Sequence, residues 1–422
     1  MLLTALLAPA LLLTAPTATA AAGPIDVSAA CSGQNAEVED ATWHGTDVYQ
    51  EWIGCNGIGY AYSTDGEKTY TRGVELAGSG GGWDPSITVG PTGVVYAGFM
   101  VTHANDSYPV LEASFDHGKT FTQTTSLKPS GTGTWGDRDF VAAGPHNTVY
   151  LTWDYGPKAS LIKYYCPPTG SCSFTAGDLN AVIQVSTNGG KTFGPITPLG
   201  PDFPRNGGDS APLLVEPSGK IDTLYEGGYV APKTYALSPE NEFFTSSLNN
   251  GAAWPANPLK LRPDVGSISL KSWWIDGDIA IDAGGTLYAT WDTQTSAGDI
   301  GHISFSRDDG KTWSTPTRVT PDTDSAMHIV QVAGGPAGTA YVGWQTSAPS
   351  AGYATYVQRF STTSGLVGKP IQVSTAYGNP TVWPGDTFGI SVLSPSRLAL
   401  SWGSANGTST TSEIYAETVP AP

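Results

Sequence analysis

Basic residues are scarce in this chain: 20 Lys and Arg stand against 37 Asp and Glu, a formal charge of −17. A surface that acidic repels a phosphate backbone and anionic lipid, which excludes nucleic acid and polybasic membrane docking. Long apolar runs are also missing, and nothing past the N-terminus approaches the roughly 20 residues of a membrane-spanning helix. The one apolar run, Leu2 to Leu13, lies in an uncharged segment that closes on small residues, Ala18-Thr19-Ala20 and Ala20-Ala21-Ala22. Residues 1–22 therefore read as a signal peptide lacking a basic n-region, and the rest of the chain as an extracellular protein. Cysteine is limited to four residues. In an exported chain these are expected to form a local Cys166–Cys172 staple and a Cys31–Cys55 bridge, since no Cys-x-x-Cys or His-x-x-x-His spacing marks a metal site. There is no Gly-x-Ser-x-Gly elbow, no Gly-x-x-x-x-Gly-Lys-Ser/Thr loop and no His-Glu-x-x-His, and the six His are scattered. No cofactor is implied by any of these patterns.

What the chain has in abundance is turn residues and aromatics: 52 Gly, 32 Pro, 13 Trp, 19 Tyr and 12 Phe. So much Gly and Pro leaves little room for long helices, and so many aromatics exclude a disordered tail, which points to an all-β fold of many short strands. One pattern recurs along it: an aliphatic residue, usually Tyr, two small residues, then an aromatic. It reads Val48-Tyr49 to Trp52, Val95-Tyr96 to Phe99, Val149-Tyr150 to Trp153, Leu287-Tyr288 to Trp291 and Ala340-Tyr341 to Trp344, with weaker copies at Leu224-Tyr225 and Leu398 to Trp402. Turns such as Gly90-Pro91-Thr92-Gly93 precede most copies, so each unit opens with a hairpin.

A second pattern, Ser-x-Asp-x-Gly-x-x-aromatic, follows the first six copies. Ser114 to Phe121 and Ser306 to Trp313 fit it fully; Ser186 to Phe193 and Ser247 to Trp254 put Asn188 and Asn249 in the Asp place; Ser63 to Tyr70 has Glu67 for Gly; Ser361 to Gly368 is degenerate. These segments resemble the Asp-box, or BNR, repeat of the sialidase superfamily of β-propellers. The resemblance implies a β-propeller; the seven copies of the first pattern make it seven-bladed, one domain over residues 23–422, with six blades as the alternative. The seventh unit has no room for a fourth strand, and Pro24 to Ala29 matches the outer strand Pro370 to Thr375, so an N-terminal strand is expected to close the last blade.

In such a ring the loops entering the first strand of each blade share one mouth of the channel. They carry Asp84, Asp137, Asp139, Asp209, Asp276, Asp278 and Asp386, together with Trp83, Trp135, Trp273, Trp274 and Trp383; His328 takes the same slot in one unit. Carboxylates there can hold sugar hydroxyls, share a hard cation such as Ca²⁺, raise one another's pKa to make a general acid, or simply cap their own loops. The indoles can stack on a sugar or pack between blades. Asp154, Glu226 and Asp292 follow the strand-two aromatic and are expected at the same mouth, as are Tyr155 and Tyr229. Between Asp154 and Ala181 the longest loop, with Tyr164 and Tyr165, reads as a lid. The resemblance points to a secreted, monomeric, sialidase-like glycoside hydrolase acting on an extracellular glycan, and the placement at this mouth makes Asp139 and Glu226 the candidate acid and base, with Arg138 and Tyr229 orienting the substrate. Arg138, Arg205 and Arg262 could supply the carboxylate grip such enzymes need, but the family's Arg-Ile-Pro motif is absent. The alternative is a non-catalytic propeller that binds a glycan or a protein at that mouth.

Overall fold

The repeated hairpins become blades. The computed structural model describes residues 23–71, 73–165, 173–176, 178–200, 209–227, 240–247, 249–266, 277–295, 298–320, 327–348, 352–374, 378–379, 381–406 and 409–422. They form seven four-stranded antiparallel sheets arranged as a β-propeller. Blades 1 to 7 begin with the first strands Ala36–Trp43, Trp83–Val89, Trp135–Ala143, Asp209–Val215, Asp278–Ile281, Met327–Gly334 and Gly389–Ser394. First strands are innermost: residues from all seven line a central cavity of about 200 Å³. The last blade is closed from the other chain end, with Ile25 opposite Ala416 and Asp26 opposite Tyr415. Cys31 and Cys55 are bridged next to that seam; Cys166 and Cys172 lie outside the described residues. Among the described residues no helix is long and apolar enough to cross a membrane.

Second strands are buried on both faces, which is why they read as near-continuous apolar runs. In blade 3, Val149, Leu151 and Trp153 pack against blade 2, while Tyr150 packs against blade 4. The aromatics closing the repeat, Trp52, Phe99, Trp153, Trp291, Trp344 and Trp402, are each at most 2% exposed. Blade 4 departs from the sequence alignment by three residues. Ile221, not Leu224, sits opposite Val215 and Ser247, so Asp222 falls in the slot held elsewhere by Tyr96, Tyr150 and Tyr288, and Tyr225 becomes the closing aromatic. A carboxylate in that buried slot needs a cation. Lys220 supplies it, with Nζ 2.8 Å from Asp222 Oδ1 and 2.6 Å from Asp309 Oδ1 of blade 5.

The Ser-x-Asp segments are self-contained turns. Ser114 Oγ accepts from Gly118 N at 2.9 Å and Asp116 accepts from Thr120 N at 2.8 Å; Ser306 and Asp308 repeat this with Gly310 and Thr312. The Thr120 and Thr312 hydroxyls, which also donate to these carboxylates, and then the main-chain bonds hold Asp116 and Asp308 down to about 2. Glu67, which replaces Gly in blade 1, is 6% exposed, and its carboxyl accepts from Tyr70 Oη and from the Thr418 hydroxyl of blade 7.

Candidate functional site

The geometry of the mouth is set by a β-bulge in the first strands of blades 1 to 3. Ladder register breaks between Ala36 and Val38, between Trp83 and Ser86, and between Asp137 and Phe140. At each bulge one non-glycine residue adopts positive φ: Glu37 at 49°, Asp84 at 48° and Arg138 at 48°. That conformation is uncommon for such residues and re-aims the side chain out of strand alternation. Gly385 of blade 7 abuts Glu37 so closely that a Cβ there would lie 2.2 Å from Glu37 N.

Arg138 is the hub. Its Nη2 lies 3.0 Å from Asp386 Oδ2, its main-chain N donates to Asp84 Oδ2 at 2.8 Å, and the guanidinium-bearing residue is 5% exposed. The carboxyls around it form two hydrogen-bonded pairs, Glu37 with Asp386 and Asp84 with Asp137. Burial first, then repulsion from the neighbouring carboxylates, pushes Glu37 and Asp84 well above the usual carboxylate range. Each pair therefore shares a proton, and one arginine suffices for four carboxyls. The cluster has one open edge. Asp84, Asp137 and Trp83 are half-buried, and Trp83 Nε1 donates to Asp137 Oδ1 at 2.7 Å.

Several residues expected at the mouth lie elsewhere. Asp139, one residue past the bulge, turns into the seam between blades 2 and 3, where it is 1% exposed, accepts from Ser86 Oγ at 3.2 Å and faces Gly98. It has no route to a substrate in the channel, and burial holds it protonated well above the carboxylate range. Asp154, Glu226 and Asp292 are 2–3% exposed, on the faces of their strands that pack against the next blade. Glu226 pairs directly with Glu242 across the ladder. Trp135 is 9% exposed and packs with Ile162 and Leu179 instead of offering a face, while Trp383 is half-buried near Asp386. Tyr155 packs edge-on against Trp153. Asp278 enters the channel wall, its oxygens accepting from Ile279 N and Val332 N at 2.7 Å each, and burial raises it to about 7.

Asp209 opens the first strand of blade 4 opposite Glu226, and His328 lies in the first strand of blade 6; their side chains are outside the described set. So are Tyr229, Trp273, Trp274, Asp276 and Arg205, and the described part of the expected lid is a short hairpin, Lys163–Tyr165 with Ser173–Ala176. Arg262 belongs to an outer strand of blade 4 and is exposed, away from Arg138. Among the described residues no three acidic, imidazole or thiol side chains are arranged to hold a metal ion.

No protein-family model matches the chain, and no curated protein does. Solved structures share the fold at low identity. An ulvan lyase, a polysaccharide lyase, has a TM-score of 0.58 at 10% identity, covering 94% of this chain and 96% of that one. A mutant NanB sialidase from Streptococcus pneumoniae has a TM-score of 0.52 at 10% identity, covering 89% and 83%. An α-L-arabinofuranosidase of Fusarium graminearum in complex with arabinobiose has a TM-score of 0.51 at 12% identity, covering 95% and 96%. This chain shares the seven-bladed propeller architecture of the sialidase-like and related glycosidases.

Proposed function

We propose that the chain is an exported carbohydrate-active propeller of the Asp-box, sialidase-like kind, cleaved after its N-terminal 22 residues and acting on an extracellular glycan at the Arg138 mouth. The observation that carries this is the open edge of the cluster: a half-buried indole, Trp83, hydrogen-bonded to Asp137 beside the proton-bearing Asp84. A flat apolar face next to a carboxyl pushed well above the usual carboxylate range suits a sugar ring whose glycosidic oxygen needs a proton. The names of the fold's neighbours, a lyase, a sialidase and an arabinofuranosidase, support the substrate class and leave the reaction open.

The acid moves from Asp139 to the Asp84–Asp137 pair in this reading, because a group sealed between blades cannot reach a substrate. Two carboxyls in contact act as one proton-sharing unit, since glycoside hydrolysis places its two carboxyl functions roughly 5–10 Å apart. Glu37 and Asp386, 4% and 5% exposed behind the open edge, hold Arg138, which positions the pair. A sialidase-type grip by three arginines has a single described member here, Arg138. Its deep burial with Asp386 favours the second reading, a glycan-binding module in which the cluster is a strut.

The test is a screen of the mature protein on labelled sialosides and on plant and bacterial polysaccharides. Turnover that falls at least a hundredfold in Asp84→Asn with KM little changed supports the enzyme. Binding without turnover supports the module, and neither binding nor turnover on any glycan overturns both.

A further inference from the structure

On the far side of blade 1 from the mouth lies a second cavity of about 360 Å³, between the outer strands of blade 1 and the Ser-x-Asp turn of blade 2. Its walls include Tyr60, Tyr62, Val74, Leu76 and Phe121, with the Tyr60 and Phe121 rings edge to face at 5.0 Å. Glu112 also lines it, at 1% exposure. One Glu112 oxygen accepts a long hydrogen bond from Thr124 Oγ1 at 3.3 Å, and Oε2 has no partner.

Blades 3 and 6 show what this position does when it is purely structural; blades 1, 4, 5 and 7 place Ala61, Thr245, Ser304 and Glu417 there. Glu112 stands opposite Ala97 on the second strand; the equivalent pairs are Leu151 with Gln184 and Val342 with Gln358. Gln184 and Gln358 donate Nε2 to the main-chain oxygens of Gly194 and Gly368, at 3.0 and 2.8 Å, and tie the third strand to the segment after it. An ionised Glu cannot donate, so the residue type that closes blades 3 and 6 is replaced in blade 2 by an acceptor whose unpartnered oxygen lies buried at the cavity wall. An unpartnered buried carboxylate is costly unless a donor or a cation reaches it.

We infer that this cavity is a binding site for a primary organic ammonium ion, whose NH₃⁺ group pairs with Glu112 and whose apolar body lies against Tyr60, Tyr62 and Phe121. Aromatic walls attract a cation through the ring quadrupole and shield the ion pair from water, and the charge of −17 on the whole chain draws cations to it. Burial raises Glu112 to about 7 in the unliganded protein. The titratable groups facing it are Glu51, Tyr60 and Tyr62 from blade 1, Glu75 from its outer strand, and Lys119 from the blade 2 turn. Burial, then repulsion from neighbouring carboxylates, pushes Glu51 well above the usual carboxylate range, and Glu75 and Lys119 sit exposed at the rim with opposite charges. Binding therefore strengthens from pH 6 to pH 8, as Glu112 gives up its proton.

Phenethylammonium and its neutral counterpart phenethyl alcohol, titrated calorimetrically into the full chain, separate charge from shape. The ammonium is expected to bind at least tenfold more tightly than the alcohol at pH 8, and Glu112→Gln to abolish that difference. The variant is expected to fold, because Gln occupies the same position in blades 3 and 6, and its melting temperature checks this. Equal affinity for the two probes, no binding of either at millimolar concentration, or unchanged ammonium affinity in a folded Glu112→Gln protein would overturn the assignment. So would displacement of the ammonium by methyl glucoside at comparable concentration, which would make the cavity a sugar subsite.

Discussion

Arg138→Met is expected to destabilise the protein by about 3–5 kcal/mol, the usual consequence of removing one partner of a buried ion pair. On a chain of this size that corresponds to a melting temperature lower by roughly 4–6 °C. The guanidinium lies 3.0 Å from Asp386, a residue 5% exposed, so removing it leaves a buried carboxylate without its cation. The loss should be partly recovered in Arg138→Met with Asp386→Asn, which removes both charges. No recovery in the double variant would mean that Arg138 contributes packing alone.

The second large effect is the pH profile of stability, which should fall on the alkaline side of about pH 5. Asp40, Asp278 and Glu112 are each raised to about 7 and Glu67 to about 8, mainly by burial; burial also pushes Glu37, Glu51, Asp84 and Asp139 well above the usual carboxylate range. In the unfolded chain the same carboxyls lose their protons near pH 4. Between those values the folded state binds more protons than the unfolded state, so stability decreases as pH rises. The contribution is complete below about pH 4 and is lost progressively through pH 7–8. The turn carboxylates work in the opposite sense: Asp116 and Asp308, held at about 2 by their hydrogen bonds, stabilise above pH 4 and lose that contribution as pH drops. The two sets leave a maximum near pH 4–5, and the melting temperature at pH 8 should lie about 10 °C or more below it. Glu112→Gln should flatten the slope by removing one of the protons involved. A melting temperature that is level or rising from pH 5 to pH 8 would contradict the protonated state of the buried carboxyls.

Blade count, ring closure and the Cys31–Cys55 bridge were legible in the chain because each rests on a local repeat or a spacing. The mouth was legible only up to the bulges. An alternating strand tells which face a residue takes, but a bulge inserts one residue and inverts that assignment beyond it. Asp137 and Asp139 look equivalent in Gly136-Asp137-Arg138-Asp139-Phe140, yet the turn at Arg138 sends Asp137 to Trp83 and Asp139 into a blade seam. Glu37 escaped notice for the same reason: Asn35-Ala36-Glu37-Val38 carries no Gly, Pro or Trp to mark a turn, and its equivalence to Asp84 and Arg138 appears only in the ladder register and the shared φ. In blade 4 the Tyr of the repeat misled because two slots accept it. The Lys220 ion cluster that allows Asp222 into the Tyr slot is assembled from blades 4 and 5, beyond the reach of a local pattern.

The central claim is that a glycan seats on the open edge of the Arg138 cluster, and Trp83→Ala tests it most directly. Trp83 is half-buried and supplies the flat face of the site, so its truncation removes the stacking surface and one hydrogen bond to Asp137, while Arg138 stays paired with Asp386. In a binding titration with whichever oligosaccharide the screen returns, the account predicts at least tenfold weaker affinity for a Trp83→Ala protein whose melting temperature stays within a few degrees of the parent. Undiminished affinity in that folded variant would place the glycan elsewhere on the propeller and contradict the account.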